Sequence, residues 1–277
     1  MDRRLRNSSG RFALRTLLAV LLTTGVVLEG HAEPPPEKDW EIELLPYAWL
    51  PNLDVSLETR RGTERAEASA SEILRDVQLG AMGRLSARWK RWLLVADGLW
   101  VKLEQEDGVR RGPFRLDAEV DLDLALVQGF VGRRLYSRPG GLFGQAASDD
   151  ERTFGFDVLA GFDYVDISMD VEIDLTAGVS LAANERKFRV SESWVSPAIG
   201  LRMLNDFTPR IRLEMMGTLG GFAVGDAPDR TWQLTTLLSY RFTDHWLVSV
   251  GHRLFDADDG SFEVRTHGAM LGVGFRL

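Results

Sequence analysis

Residues 266–277, written THGAMLGVGFRL, alternate with a period of two: His267, Ala269, Leu271, Val273, Phe275 and Leu277 fall on one side, Gly268, Met270, Gly272, Gly274 and Arg276 on the other. Successive side chains of a β-strand point to opposite faces, so this is the pattern of a strand with one apolar face. Wound as a helix, the apolar set would scatter and each glycine would cost about 1 kcal/mol against alanine. The same alternation recurs upstream and predicts ten strands, over 40–50, 77–88, 92–103, 115–135, 153–166, 193–204, 208–219, 230–242, 245–256 and 266–277. The clearest is 153–166, where Phe154, Phe156, Val158, Ala160, Phe162 and Tyr164 oppose Gly155, Asp157, Gly161 and Asp163.

The joins at 89–91, 205–207 and 243–244 are short enough to force tight hairpins. Those at 104–113, 167–192, 220–229 and 257–265 are long and polar, and the Gly-rich acidic stretch 138–152 is the one exception to a short–long alternation. Residues 53–59 read as an extension of the first hairpin arm. Over 66–76, Ser71 before Glu72, Ile73 and Leu74 reads as the N-cap of one helical turn. The stretch 167–192 reads as an irregular charged excursion carrying a short outer hairpin. An even number of antiparallel strands with long connections at one end and short ones at the other fits a closed sheet spanning a bilayer; a soluble sandwich has no reason for that asymmetry.

This layout, ending in an alternating strand with an aromatic near its end, resembles the bacterial outer-membrane β-barrels. Their usual last residue is aromatic; here Phe275 stands two residues in and Leu277 is last. The resemblance implies an all-β chain, a single closed antiparallel transmembrane β-barrel of about ten strands with long outer loops and mostly short periplasmic turns. It implies a place in the outer membrane of a Gram-negative bacterium, contact with membrane lipid and lipopolysaccharide, and recognition of the C-terminal strand by the barrel-assembly machinery. It names no activity.

Residues 1–32 read as a secretory signal peptide: Arg3, Arg4, Arg6, Arg11 and Arg15 precede a run of about twelve mostly apolar residues from Leu17 to Leu28, and Gly30-His31-Ala32 is a small-x-small cleavage site. Such a run is short of the roughly 20 residues a helix needs to span a bilayer. Residues 33–38 follow as a proline-rich leader with Pro34, Pro35 and Pro36, and 39–277 as the barrel. The formal charge of −8 lies against nucleic acid as a partner, because binding phosphates needs a basic stripe. With no cysteine, disulfides and thiol chemistry are excluded.

In a membrane barrel the apolar face points to lipid and the polar face to the lumen. That assigns Glu41, Glu43, Arg84, Arg88, Asp97, Asp121, Asp123, Asp157, Asp163, Arg202, Arg212, Glu214, Arg241, Arg253 and Arg276 to the lumen as a charge network. Ten strands stand near the eight at which side chains fill the interior and far from the sixteen or more of an open porin. The expectation is therefore a lumen plugged by paired charges, against a water-filled path that selects a small solute by charge. Trp40, Trp92, Trp100, Tyr164, Trp232, Tyr240 and Trp246 fall near strand ends on the apolar face, as an aromatic girdle at headgroup level would.

Little catalytic chemistry is legible. His245, His252 and His267 have no second ligand at metal spacing, so neither a metal site nor a cofactor is expected, and no Gly-x-Ser-x-Gly elbow is present. The acidic groups Asp170, Glu172, Asp174 and Asp256, Asp258, Asp259 lack EF-hand spacing and read as solvated loops rather than a cation site. The expected role is non-enzymatic, structural or binding and passing a small solute. The alternatives are a rim enzyme acting on lipid or peptide, as omptin-like proteases and lipid A deacylases do without a local motif shared here, and a soluble secreted ligand-binding β-barrel.

Overall fold

A computed structural model describes residues 40–59, 62–69, 77–111, 114–142, 153–177, 181–225, 227–260 and 262–277. The expected signal peptide and leader, 1–38, lie outside the described residues. The strands are β1 (Glu41–Thr59), β2 (Gly62–Ala68), β3 (Val77–Trp89), β4 (Trp92–Arg111), β5 (Phe114–Pro139), β6 (Thr153–Ala177), β7 (Leu181–Thr208), β8 (Ile211–Gly221), β9 (Arg230–Arg241), β10 (Trp246–Asp258) and β11 (Phe262–Arg276). Every pairing is antiparallel, each long strand meets its sequence neighbour, and β11 returns to pair with β1. Ten strands thus make a closed wall, and β2 folds back on the far half of β1.

The register gives the tilt. A path of directly paired residues leaves β1 at Glu41 and passes through Arg88, Leu93, Gly132, Leu159, Gly200, Thr218, Gln233, Phe255 and Thr266. It re-enters β1 at Leu53, 12 residues beyond its start. At about 3.3 Å per residue and 4.8 Å per strand, that stagger tilts the ten strands by about 40°, inside the range for barrels.

Side chains sort by parity around most of this wall. Val131, Val195, Ile199, Val250 and Leu271 point outward and are each more than half exposed. Asp97, Gln128, Asp157, Thr235, Ser249 and Arg253 point inward and are almost wholly buried. The inner face also holds apolar groups. Tyr47, Trp49, Leu99, Val101, Leu126, Val165 and Met270 form one cluster, and Leu93, Val95, Phe130, Leu159, Ala198 and Met216 a second. The glycines of β11 make room for the first: a Cβ on Gly272 would stand 2.9 Å from the Pro46 carbonyl oxygen and 3.1 Å from the Tyr47 Cβ. Only a flat strand lets those large inward side chains lie across it.

Three local expectations are overturned. The loop expected at 104–113 is mostly strand, since β4 runs to Arg111 and β5 starts at Phe114. The excursion expected at 167–192 is a continuous ladder of β6 and β7, setting Asp170 opposite Arg189 and Glu172 opposite Lys187. Opposite charges directly across a ladder are a strand signal that a reading by hydropathy takes for loop. The helical turn expected over 66–76 gives way to β2 at 66–68, and 70–76 lie outside the described residues. In consequence β4 to β7 have 20, 26, 25 and 28 residues, while β8 to β10 have 11, 12 and 13, so one side of the wall stands far taller.

One seam interrupts the wall. β1 pairs with β3 only over Glu41–Pro46, and with β2 only from Leu53. Between them, Tyr47 to Pro51 have ladder partners in β11 and none on the other side among the described residues.

Candidate functional site

The inward charges meet both along the wall, as Arg84–Asp97 and Arg134–Asp157 do between neighbouring strands, and across the lumen. Asp97 on β4 is the centre. It accepts hydrogen bonds from Arg84 Nε at 2.7 Å, Arg253 Nη2 at 2.9 Å and the Tyr47 hydroxyl at 2.8 Å. Arg253 also donates to the Tyr47 hydroxyl at 3.0 Å, and its guanidinium lies 5.1 Å from the Tyr47 ring centre and 5.6 Å from that of Trp49. Arg84 Nη1 reaches Glu214 on β8 at 3.1 Å, and the second oxygen of Glu214 accepts from Arg202 Nη2 at 2.6 Å. Asp157 on β6 is fully buried beneath three guanidiniums: Arg134 Nε at 2.8 Å, Arg88 Nη2 at 3.2 Å and Arg202 Nη1 at 3.8 Å.

A second, smaller set lines the end of the barrel that carries the short turns. Arg212 donates to Asp206 at 2.7 Å and to Glu41 at 3.3 Å, and Arg276 reaches Glu41 at 2.7 Å. A cavity of about 20 Å³ beside Arg212, Arg276 and Glu43 has room for little more than a water. Higher in the lumen, Gln233 donates to Gln128 at 3.0 Å and Gln128 to Asp163 at 2.8 Å, an uncharged relay ending on a carboxylate with no cation paired to it among the described residues. Ions so deep in a low-dielectric interior hold together only because each attraction is backed by hydrogen bonds; removing one partner strands another.

Of the lumen residues expected from sequence, Glu41, Glu43, Arg84, Arg88, Asp97, Asp157, Asp163, Arg202, Arg212, Glu214, Arg253 and Arg276 share the inward parity. Arg241 stands at the rim, where its Nη2 donates to the Pro209 carbonyl of the neighbouring turn. Asp121 and Asp123 are corrections. The inward residues of β5 are the even-numbered ones, Leu126, Gln128 and Phe130, so both aspartates face outward, and Asp123 accepts from the outward Trp100 Nε1 at 2.8 Å. They stand above the apolar belt, where the outer face meets water and the polarity rule reverses. The same parity error hid Arg134, which points inward with Gln128 and binds Asp157. Tyr47, Gln128 and Gln233 were also missed, because a hydroxyl or amide gives no signal of charge in a hydropathy pattern, and Asp206 was missed because 205–207, expected as a tight join, is the end of β7.

All seven of the expected girdle aromatics lie on the outward parity. Trp40, Trp92, Trp100, Tyr240 and Trp246 are exposed, Tyr164 and Trp232 half-buried. The stagger raises equivalent positions by about 1.2 residues per strand. With that correction Trp100, Tyr164 and Trp232 share one level, and Trp92, Tyr240 and Trp246 another. Trp92 and Trp100 lie on β4, Trp232 and Tyr240 on β9, each pair eight residues apart. That separation is about 20 Å along the barrel axis. His252 and His267 also face outward, with ring centres 6.0 Å apart, and His245 in the β9–β10 turn places Nδ1 3.0 Å from the Arg276 carbonyl oxygen. Among the described residues no group of three or more His, Asp or Glu side chains is arranged to hold a metal. Asp256 and Asp258 are instead paired with Arg265 at 3.0 Å and Arg230 at 3.4 Å.

A closed antiparallel barrel, apolar outside and ionic within, is an integral outer-membrane β-barrel, and it sits in the outer membrane. No family model matches the chain, and no curated protein matches it by sequence. Among solved structures it is similar to the outer membrane protease OmpT from Escherichia coli, with a TM-score of 0.51 and 8% identity over 89% of this chain and 99% of that one. It is also similar to the translocator domain of autotransporter NalP from Neisseria meningitidis (TM-score 0.42, 12% identity, 96% of each chain). A third is Ail, the attachment invasion locus protein of Yersinia pestis (TM-score 0.34, 10% identity, 87% of this chain and 100% of that one). At 8% identity the likeness to OmpT establishes the fold and assigns no activity.

Proposed function

We propose that this is a non-enzymatic outer-membrane barrel whose lumen is closed to through-passage by its ion network, with a structural or solute-binding role at the membrane. The observation that carries this is the complete burial of a layer crossing the lumen: Asp97, Gln128, Phe130, Asp157, Thr235 and Arg253 are each no more than 2% exposed. Pairs such as Arg253–Asp97 and Arg84–Glu214 tie strands that are not neighbours, so they bar the interior rather than line it. The two aromatic levels would rest at the two headgroup regions, with the apolar outer residues between them in contact with lipid and lipopolysaccharide. The last strand, β11, supplies the outward alternation that the assembly machinery would read.

A rim hydrolase is the weaker reading. One barrel of this fold is a protease, but His252 and His267 face lipid and stack on each other rather than on a carboxylate. The test is single-channel recording of the purified protein in a planar bilayer. The reading predicts no steady conductance from the native chain; a stable ohmic pore would contradict it. Turnover of a labelled peptide or of lipid A by the same preparation would contradict the non-enzymatic role.

A further inference from the structure

By direct ion pairs the central network holds more cations than carboxylates, with Glu41 and Glu43 of β1 near Arg88 and Arg202. Arg84, Arg88, Arg134, Arg202 and Arg253 are linked into one set through Asp97, Asp157 and Glu214, so five guanidiniums share three carboxylates. Arg202 is 5% exposed, yet among the described residues its Nε and Nη1 have no hydrogen-bond partner, and Arg88 Nη1, Arg84 Nη2 and Arg253 Nε have none either. Burying guanidiniums with unmet donors is costly, and an interior does so where an anion completes the set.

The geometry points to a binding site for a small oxyanion, a phosphate group in the first instance, held by Arg88, Arg134 and Arg202 around Asp157. These three guanidiniums all reach one carboxylate and so stand within a few ångströms of a common point, with Arg88 Nη1 and Arg202 Nε and Nη1 left to donate. Planar guanidiniums match the oxygens of an oxyanion in a way an ammonium does not. Arg88 is the most exposed of the three, with 13% of its side chain accessible, and Arg88 and Arg134 lie at the short-turn end of the barrel. That end is the mouth through which the anion enters. The site deepens the reading of a closed, solute-binding lumen.

The experiment is thermal unfolding of the folded barrel in phosphate-free detergent, titrated with inorganic phosphate against sodium chloride at equal ionic strength. The expected result is a saturable rise in Tm specific to phosphate, together with broadening of the free phosphate signal by phosphorus NMR. Arg88→Gln abolishes both effects. Asp157→Asn lowers Tm without phosphate and gains more from it than the native chain, since it removes the carboxylate that the three guanidiniums share. Micelles containing phosphatidic acid in place of free phosphate distinguish a lipid headgroup from a free ion as the source. Equal curves in phosphate and chloride, with no NMR broadening of the native protein, overturn the site. Failure of the closed-lumen reading would show separately, as conductance.

Discussion

Asp97 accepts from three side chains on three other strands, and each of them loses its main partner if the carboxylate goes. Truncation to alanine leaves the buried Arg253 without a carboxylate and Arg84 with Glu214 alone, a loss of about 3–5 kcal/mol. Urea unfolding of Asp97→Ala in lipid vesicles should show a cost of that order, well above that of removing the exposed Arg230–Asp258 pair, which is worth about 1 kcal/mol or less. Equal costs would mean that the centre of the network is hydrated and loose. At this scale the sequence was informative wherever charge and alternation coincided, as at Arg84, Asp97, Asp157 and Arg253. It misled on β5, where two odd-numbered aspartates were assigned to the inner face. One inverted strand misplaced Asp121 and Asp123 and concealed Arg134, because a slip of parity moves every side chain to the other face.

The ten wall strands were legible because a lipid-facing surface enforces apolar alternation. Their outer ends were not, because past the membrane both faces meet water and opposite charges across the ladder replace greasy residues, as at Asp170 and Arg189. The seam between β1 and β3 was legible only in part, through Pro46 and Pro51. Ile42 exchanges both of its backbone hydrogen bonds with Leu277, so odd-numbered residues of β1 aim theirs at the opposite side. Tyr47 and Trp49 therefore direct N–H groups into the seam. Hydrogen exchange should find these two amides faster than that of Val95, which sits on a strand paired on both sides. Protection as strong as that of Val95 would show that the seam is bridged.

For the whole molecule, closure and layering follow from two rules acting together. Backbone groups in a bilayer must pair, which closes the sheet, and ionic side chains must leave lipid, which sends them inward. The result is a barrel with an apolar belt about 20 Å tall between aromatic levels and a cross-linked interior. Because the chain has no cysteine, single cysteines can be placed anywhere without background. Spin labels at successive positions from Trp246 to Gly251 on β10, in lipid vesicles, test the arrangement most directly. The account predicts that oxygen collides freely with labels at 246, 248 and 250, and that labels at 247, 249 and 251 are shielded from it and immobile. The reverse phase, or access of a water-soluble relaxant to 248 and 250, would contradict it.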